Sequence, residues 1–322
     1  MDDLPSKPNS PPRVYVTPAS HDDDIRKMIT ALAGFFSLLM VLVITIVIYA
    51  SDLAKLLPFS VEQRFVKPYE AMADYWFDEE PTAEHQDIQR SLQELSDELA
   101  LSMALPSEFE LQVHYVDTDQ VNAIATLGGH MFVFRGLLEV MPDENSLAMV
   151  LAHEIAHIKH RDAMAGLGRG LALQMFYSFI SGDYSAGVDI ALQTGEIGIL
   201  YFSREQERQA DAAAIQALQA HYGHVYGYDQ LFQYLHEHQN DDTDSHADNS
   251  GDGNLSTKTL ELTDMEWFSS HPELQERIET LTALAKSHQW LLEGNAAPLR
   301  GALAGFTETN ELEGAPKFRR LN

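Results

Sequence analysis

The chain has 322 residues, 45% of them hydrophobic, a formal net charge of −28 and no cysteine. That length suits one large domain or two small ones with a real core, and the acidity excludes nucleic acid as a partner, because phosphate backbones select basic surfaces. Without cysteine there are no disulfides, thiolate ligands or cysteine nucleophile, so any metal must be held by histidine and carboxylate side chains.

Residues 1–27 are rich in Pro, Ser and Asp and read as a disordered tail. Residues 28–50 then run for 23 positions without a charge. As a helix they would measure about 34 Å, enough to cross a hydrocarbon core of about 30 Å with some tilt. The stretch reads as a transmembrane signal anchor. The rival is a cleaved signal peptide ending at Ile48-Tyr49-Ala50, although such peptides carry a shorter apolar core of about 7–15 residues. Arg26 and Lys27 abut the span on one side, Asp52 and Lys55 on the other. These nearest charges put the N-terminus inside and the body outside, a bias that disappears when Arg13, Arg64 and Lys67 are counted too.

Residues 51–105 form a membrane-proximal linker and helix. Phe59, Phe65, Tyr69, Tyr75, Trp76 and Phe77 pack on the body or lie near the membrane surface. Ile88, Leu92, Leu95, Leu99 and Met103 give an amphipathic helix over 85–103. From 106 to 290 the chain carries its main domain. It begins with a half-buried strand over 109–116, alternating Phe109, Leu111, Val113 and Tyr115, and continues through a turn-rich loop to a short strand over 130–135. If that second strand lies on a sheet edge, His130, Met131, Phe132, Val133 and Phe134 can bind an extended polypeptide by strand addition.

Asp143 or Asn145 caps the next helix, whose core reads LAMVLAHEIAHIKHR over 147–161. His153 and His157 are four apart and share a helix face, so both imidazoles can reach one metal ion. Glu154 projects beside it and can hold a water. This H-E-x-x-H arrangement is the zinc-peptidase signature, two ligands and a general base on one helix. Its bland alternative is a core helix whose histidines only hydrogen-bond.

Residues 163–180 form an apolar helix; Arg169 in its middle argues for burial in protein rather than a second span. Residues 188–202 are again apolar at helical spacing, and 203–220 form an Ala-rich helix. The third ligand must come from Glu205, Glu207 or Asp211. Glu207 and Asp211 are one turn apart and share a face, whereas Glu205 points elsewhere. Glu207 is read as the ligand, with Asp211 accepting the proton on the other nitrogen of a ligand imidazole. Residues 221–262 read as a flexible His- and Asp-rich insertion. Asp248, Ser250 and Asp252 only partly imitate a calcium loop, since Thr259 stands where a bidentate Glu is needed. Residues 291–322 lack periodicity and read as a loosely attached tail.

Taken together, HEIAH, SREQERQAD, NAIATLGG, FVFRGLL and SSHPELQERI resemble the membrane-associated zinc metallopeptidases of the HtpX and CAAX prenyl protease family, over roughly residues 57–284. LPFSVEQRF, ahead of the domain, is similar to the lead-in of its periplasmic and mitochondrial quality-control members. The resemblance implies a gluzincin endopeptidase with one zinc ion on His153, His157 and Glu207, Glu154 as base, Asp211 as the outer partner, and His271 of Ser270-His271-Pro272 at the active site. His271 would either donate to the developing oxyanion or occupy the fourth metal position at rest. Leu127 departs from the family, which often has Pro there, and the single span argues against an intramembrane prenyl-protein substrate. The expected fold is α+β and mainly helical, a zincin-like domain with a small sheet behind one transmembrane helix. The expected function is proteolysis of misfolded, membrane or envelope polypeptides on the periplasmic side of a bacterial inner membrane. An anchored chaperone or assembly factor with a structural metal is the competing class.

Overall fold

The computed structural model describes residues 19–66, 82–181, 202–238 and 274–306. The chain divides into two compact units, Met1–Ile48 and Tyr49–Asn322. Helix α1, Ala19–Lys55, runs well past both ends of the charge-free stretch. Among the described residues it is the one helix long and apolar enough to cross a membrane. Phe35, Leu38 and Ile48 are all exposed, as a lipid-facing surface requires. Two of its polar side chains are satisfied within the helix: Thr30 and Thr45 donate back to the carbonyls of Arg26 and Val41, both at 2.8 Å.

The second unit is mainly helical around one small sheet. After the single turn α2, Phe59–Glu62, helix α3 spans Ala83–Ser102, capped by Thr82, which accepts from the His85 amide. It buries Ile88, Leu92, Leu95 and Leu99, the face the spacing predicts. Strands β1 (Gln112–Val116), β2 (Ala123–Ala125) and β3 (His130–Phe134) form a sheet of order β1-β3-β2, with β1 parallel and β2 antiparallel to β3. The turn between β2 and β3 needs positive φ at Gly128 (73°) and Gly129 (87°), which glycine adopts without strain. Leu127, where the family often has Pro, is fully buried there.

Period-2 alternation splits the sheet between two clusters. Val113, Tyr115, Ala123, Ala125, Met131 and Val133 face the main core, while Val116, Phe132 and Phe134 join Leu127, Ala54, Ala163 and Met164. After the short α4, Arg135–Val140, helix α5 covers Glu144–His160 and is buried from Glu144 to Ile158. Asp143 caps it, accepting from the Ser146 amide at 2.9 Å, and Arg161 ends it in the left-handed conformation, φ 54°. Helix α6 (Asp162–Ser181) follows, then α7 (Arg204–Tyr222), α8 (Gln230–His238) and α9 (Leu274–Ser287). A capping box between Ser203 and Gln206 fixes the start of α7, and Ala210, Ala214 and Ala217 on its buried face let it lie close to α5.

Four expectations change. Strand β3 is the central strand, paired on both sides, so its backbone has no free edge for an added strand. Four of its five residues are buried, as a strand paired on both sides and covered on both faces requires. Helix α6 is buried only in part: Ala163 and Met164 are inside, but Arg169, Leu171 and Leu173 are exposed. The start of the supposed insertion is core, because Val225, Leu231, Phe232 and Leu235 bury under a His- and Asp-rich composition. The tail is docked as far as its described part reaches. Leu299 and Leu303 are buried, Arg300 pairs with Glu144 (2.7 Å) and Glu98 (2.8 Å), and Ala297 donates to Asn145 at 2.8 Å. An extended segment needs no periodicity to be held this way.

Candidate metal centre

Helices α5 and α7 aim three side chains at one point. His153 and His157 are buried, and their Nε2 atoms lie 3.0 Å apart. Glu207 arrives from the first turn of α7, with carboxylate oxygens 3.5 Å from His153 Nε2 and 3.4 Å from His157 Nε2. One ligand atom from each of the three falls within a 4.8 Å cluster, which could hold a metal ion. Two ligands about 2.0–2.1 Å from a tetrahedral ion stand roughly 3.3 Å apart, so these separations fit one.

The protonation pattern fits as well. His153 Nδ1 faces Asp211 at 3.0 Å, and His157 Nδ1 faces Asp162 at 2.9 Å. An ionised carboxylate only accepts, so each Nδ1 donates, and the Nε2 atoms facing Glu207 are the ones that would give up a proton to ligate a metal ion. Burial opposes charge on His153, yet the hydrogen bonds of Asp211 and Glu207 raise its pKa to about 9. The same balance, led by Asp162, raises that of His157. A field that favours a proton so strongly favours a metal cation in its place.

The carboxylates have their own supports. Burial would raise the pKa of Asp211, but the Arg277 guanidinium and His153 hold it down to about 2. Arg277, on α9, reaches Asp211 at 2.5 and 2.7 Å and Glu207 at 3.1 Å, and lies 4.8 Å over the ring of Phe232. Asp162 is likewise held down to about 2 against its burial, by His157, Gln206 and Lys55. Glu154 is fully buried, and its Oε2 accepts from the Ala125 amide on β2 at 2.7 Å. Phe202 stacks on the His157 ring, centroids 3.9 Å apart and planes 14° off parallel.

Of the residues singled out from the sequence, His153, Glu154, His157, Glu207 and Asp211 come together, and Glu205 faces solvent in an ion pair with Arg208. His130–Phe134 sit in the sheet, with His130 stacked against His114. His271 lies outside the described residues. Sequence reasoning missed Asp162, Lys55, Gln206 and Phe202. Only Asp162 carries a local signal: it stands five residues past His157, just beyond the residue that ends the helix.

The model of peptidase family M48 matches residues 82–285. The beta-barrel assembly-enhancing protease of Yersinia pestis is 30% identical over 131 residues, 37% of this chain and 26% of that protein. Mitochondrial metalloendopeptidase OMA1 of Schizosaccharomyces pombe is 33% identical over 107 residues, 33% of this chain and 32% of that protein. A protease HtpX homolog of Methanothermobacter thermautotrophicus is 34% identical over 98 residues, 27% of this chain and 38% of that protein. The chain thus spans about a quarter to two fifths of these relatives' length. With the family model covering well over half of the sequence and a His–His–Glu centre behind it, the chain belongs to peptidase family M48, a family of zinc metallopeptidases.

Proposed function

We propose that the protein is a membrane-anchored zinc endopeptidase that cleaves misfolded, membrane or envelope polypeptides. The observation that carries the reading is Glu154, fully buried beside the His153–His157–Glu207 centre and fixed by the Ala125 amide. A purely structural metal site has no use for such a base, which disfavours the anchored chaperone.

His153, His157 and Glu207 would hold the ion. Zinc bound there supplies Lewis acidity, polarising the scissile carbonyl and lowering the pKa of a water to about 7. Glu154 orients that water, takes its proton during attack and passes it to the leaving amine. Asp211 and Asp162 keep both imidazoles in the Nδ1–H tautomer through the cycle. His271 is proposed as the oxyanion donor; it precedes α9 by three residues, and α9 already delivers Arg277 to the centre. Residues 28–50 anchor the chain, with Arg26 and Lys27 favouring a body on the outer side of a bacterial inner membrane.

Cleavage of casein by the purified protein should stop with a chelator and return with zinc. Glu154→Gln should keep zinc and fold while abolishing cleavage; wild-type cleavage by that variant would sink the mechanism. Protease accessibility of the body in spheroplasts tests the sidedness.

A further inference from the structure

Asp162, the first residue of α6, has a side chain only 1% exposed and uses both oxygens. Oδ2 accepts from His157 Nδ1 at 2.9 Å. Oδ1 accepts from Gln206 Nε2 at 2.8 Å and from Lys55 Nζ at 3.0 Å. Lys55 is the last residue of α1, the helix that also carries the apolar stretch. The same turn is gripped a second time. Arg161, buried and left-handed, donates to the carbonyls of Lys55 (2.7 Å) and Leu57 and through Nε to Glu62 at 2.9 Å, with which it forms an ion pair. Glu62 in turn accepts from the Gly128 amide at 3.0 Å, in the turn behind β2. On the other side, Ser51 donates to the Ala165 carbonyl at 3.2 Å. A Cβ on Gly168 would come within 2.5 Å of Ala54 Cβ, so α6 and the end of α1 are in close contact.

A buried arginine in a left-handed conformation and a buried carboxylate both cost free energy unless their surroundings satisfy them. Here residues 55–62 satisfy Arg161 and, together with Gln206 of α7, Asp162, and the network ends on an imidazole of the centre. We propose that Asp162 is the positioning residue of His157, and that the last turn of α1 holds Asp162 in place, making the anchor helix's end part of the metal site. The proposal rests on the zinc reading above. Its physical content is the tautomer: a fixed carboxylate on Nδ1 keeps the Nε2 lone pair for the metal.

Zinc affinity of the full-length protein in detergent, measured by competition with a chromophoric chelator, tests this without reference to cleavage. Asp162→Ala should bind zinc about 10–100-fold more weakly. Lys55→Ala should change the affinity by about threefold or more in the native background and leave it unchanged in the Asp162→Ala background, because it acts only through that carboxylate. Lys55→Arg should restore the native value. Ser51→Ala, one turn before Lys55 and with its hydrogen bond to the Ala165 carbonyl rather than to Asp162, should bind zinc normally. Native affinity in Asp162→Ala would overturn the positioning role, and an equal change from Lys55→Ala in both backgrounds would overturn the part played by the helix end. Should either alanine variant lose its far-UV circular dichroism, Asp162→Asn and Lys55→Met make the same comparison. A native protein that fails to bind zinc at all would defeat the peptidase reading instead.

Discussion

The two imidazoles of the centre are steadied in opposite ways. On the His153 side, Asp211 and Glu207 share one cation, Arg277, and all of these side chains are buried. On the His157 side, Asp162 is equally buried, but its cation, Lys55, is a third exposed at the end of α1. The first side is closed, and there the Arg277 guanidinium offsets two carboxylates. The second opens toward solvent, so its charge balance tolerates more. One helix therefore carries a rigid ligand and one whose support reaches outside the core.

The largest expected effect comes from breaking the closed side. Arg277→Met leaves Glu207 and Asp211 buried without their cation, and removing one partner of a buried ionic group costs about 3–5 kcal/mol. Thermal unfolding of the metal-free protein should show that loss, and added zinc should recover part of it. A metal-free Arg277→Met protein as stable as the native one would remove the asymmetry.

Metal removal comes next and acts on both sides at once. Zinc at 100 times its dissociation constant stabilises the folded state by about 2.7 kcal/mol, so a chelator should lower the melting temperature correspondingly. The shift should shrink in Asp162→Ala, whose Lys55 can turn to water, without the large metal-free destabilisation of Arg277→Met. Equal metal-free losses in the two variants would argue that the sides are equivalent.

The smallest effect concerns the sheet face that meets the end of α1. His114 stacks on Phe132 of that face and lies 2.8 Å from His130. Burial, helped by the His130 charge, lowers its pKa from 6.5 to about 4. The folded state therefore keeps His114 neutral while the unfolded chain takes a proton between those values. Stability should be whole above pH 6.5 and decline as the pH falls toward 4. His114→Phe should flatten that part of the unfolding profile; an unchanged slope would exclude His114 as its source.

Much of the centre was legible because its parts are local. The HEIAH spacing puts His153 and His157 on one face of any helix, and the four-residue step from Glu207 to Asp211 does the same on α7. The buried face of α3 follows from the same periodicity, whereas α1 starts at Ala19, inside the stretch read as a disordered tail, and runs on to Lys55. Strand order was not legible: β3 reads like β1 in alternation, and only pairing with β2 makes it central. The docking of Arg300 on Glu144, 156 residues away, left no local trace either.

The sequence by itself thus determined that α3, α5 and α7 form, which face α3 buries, and which residues of α5 and α7 can meet a metal, because hydrogen bonding within a helix fixes side-chain direction from neighbours alone. Tertiary structure decided which carboxylate and which cation stand behind each imidazole. Asp162 could be placed on His157 only once α6 turned away at Arg161, and Lys55 on Asp162 only once the end of α1, 107 residues earlier, came to rest there. Such partners are chosen by burial and charge satisfaction across the whole fold, which no window of sequence contains.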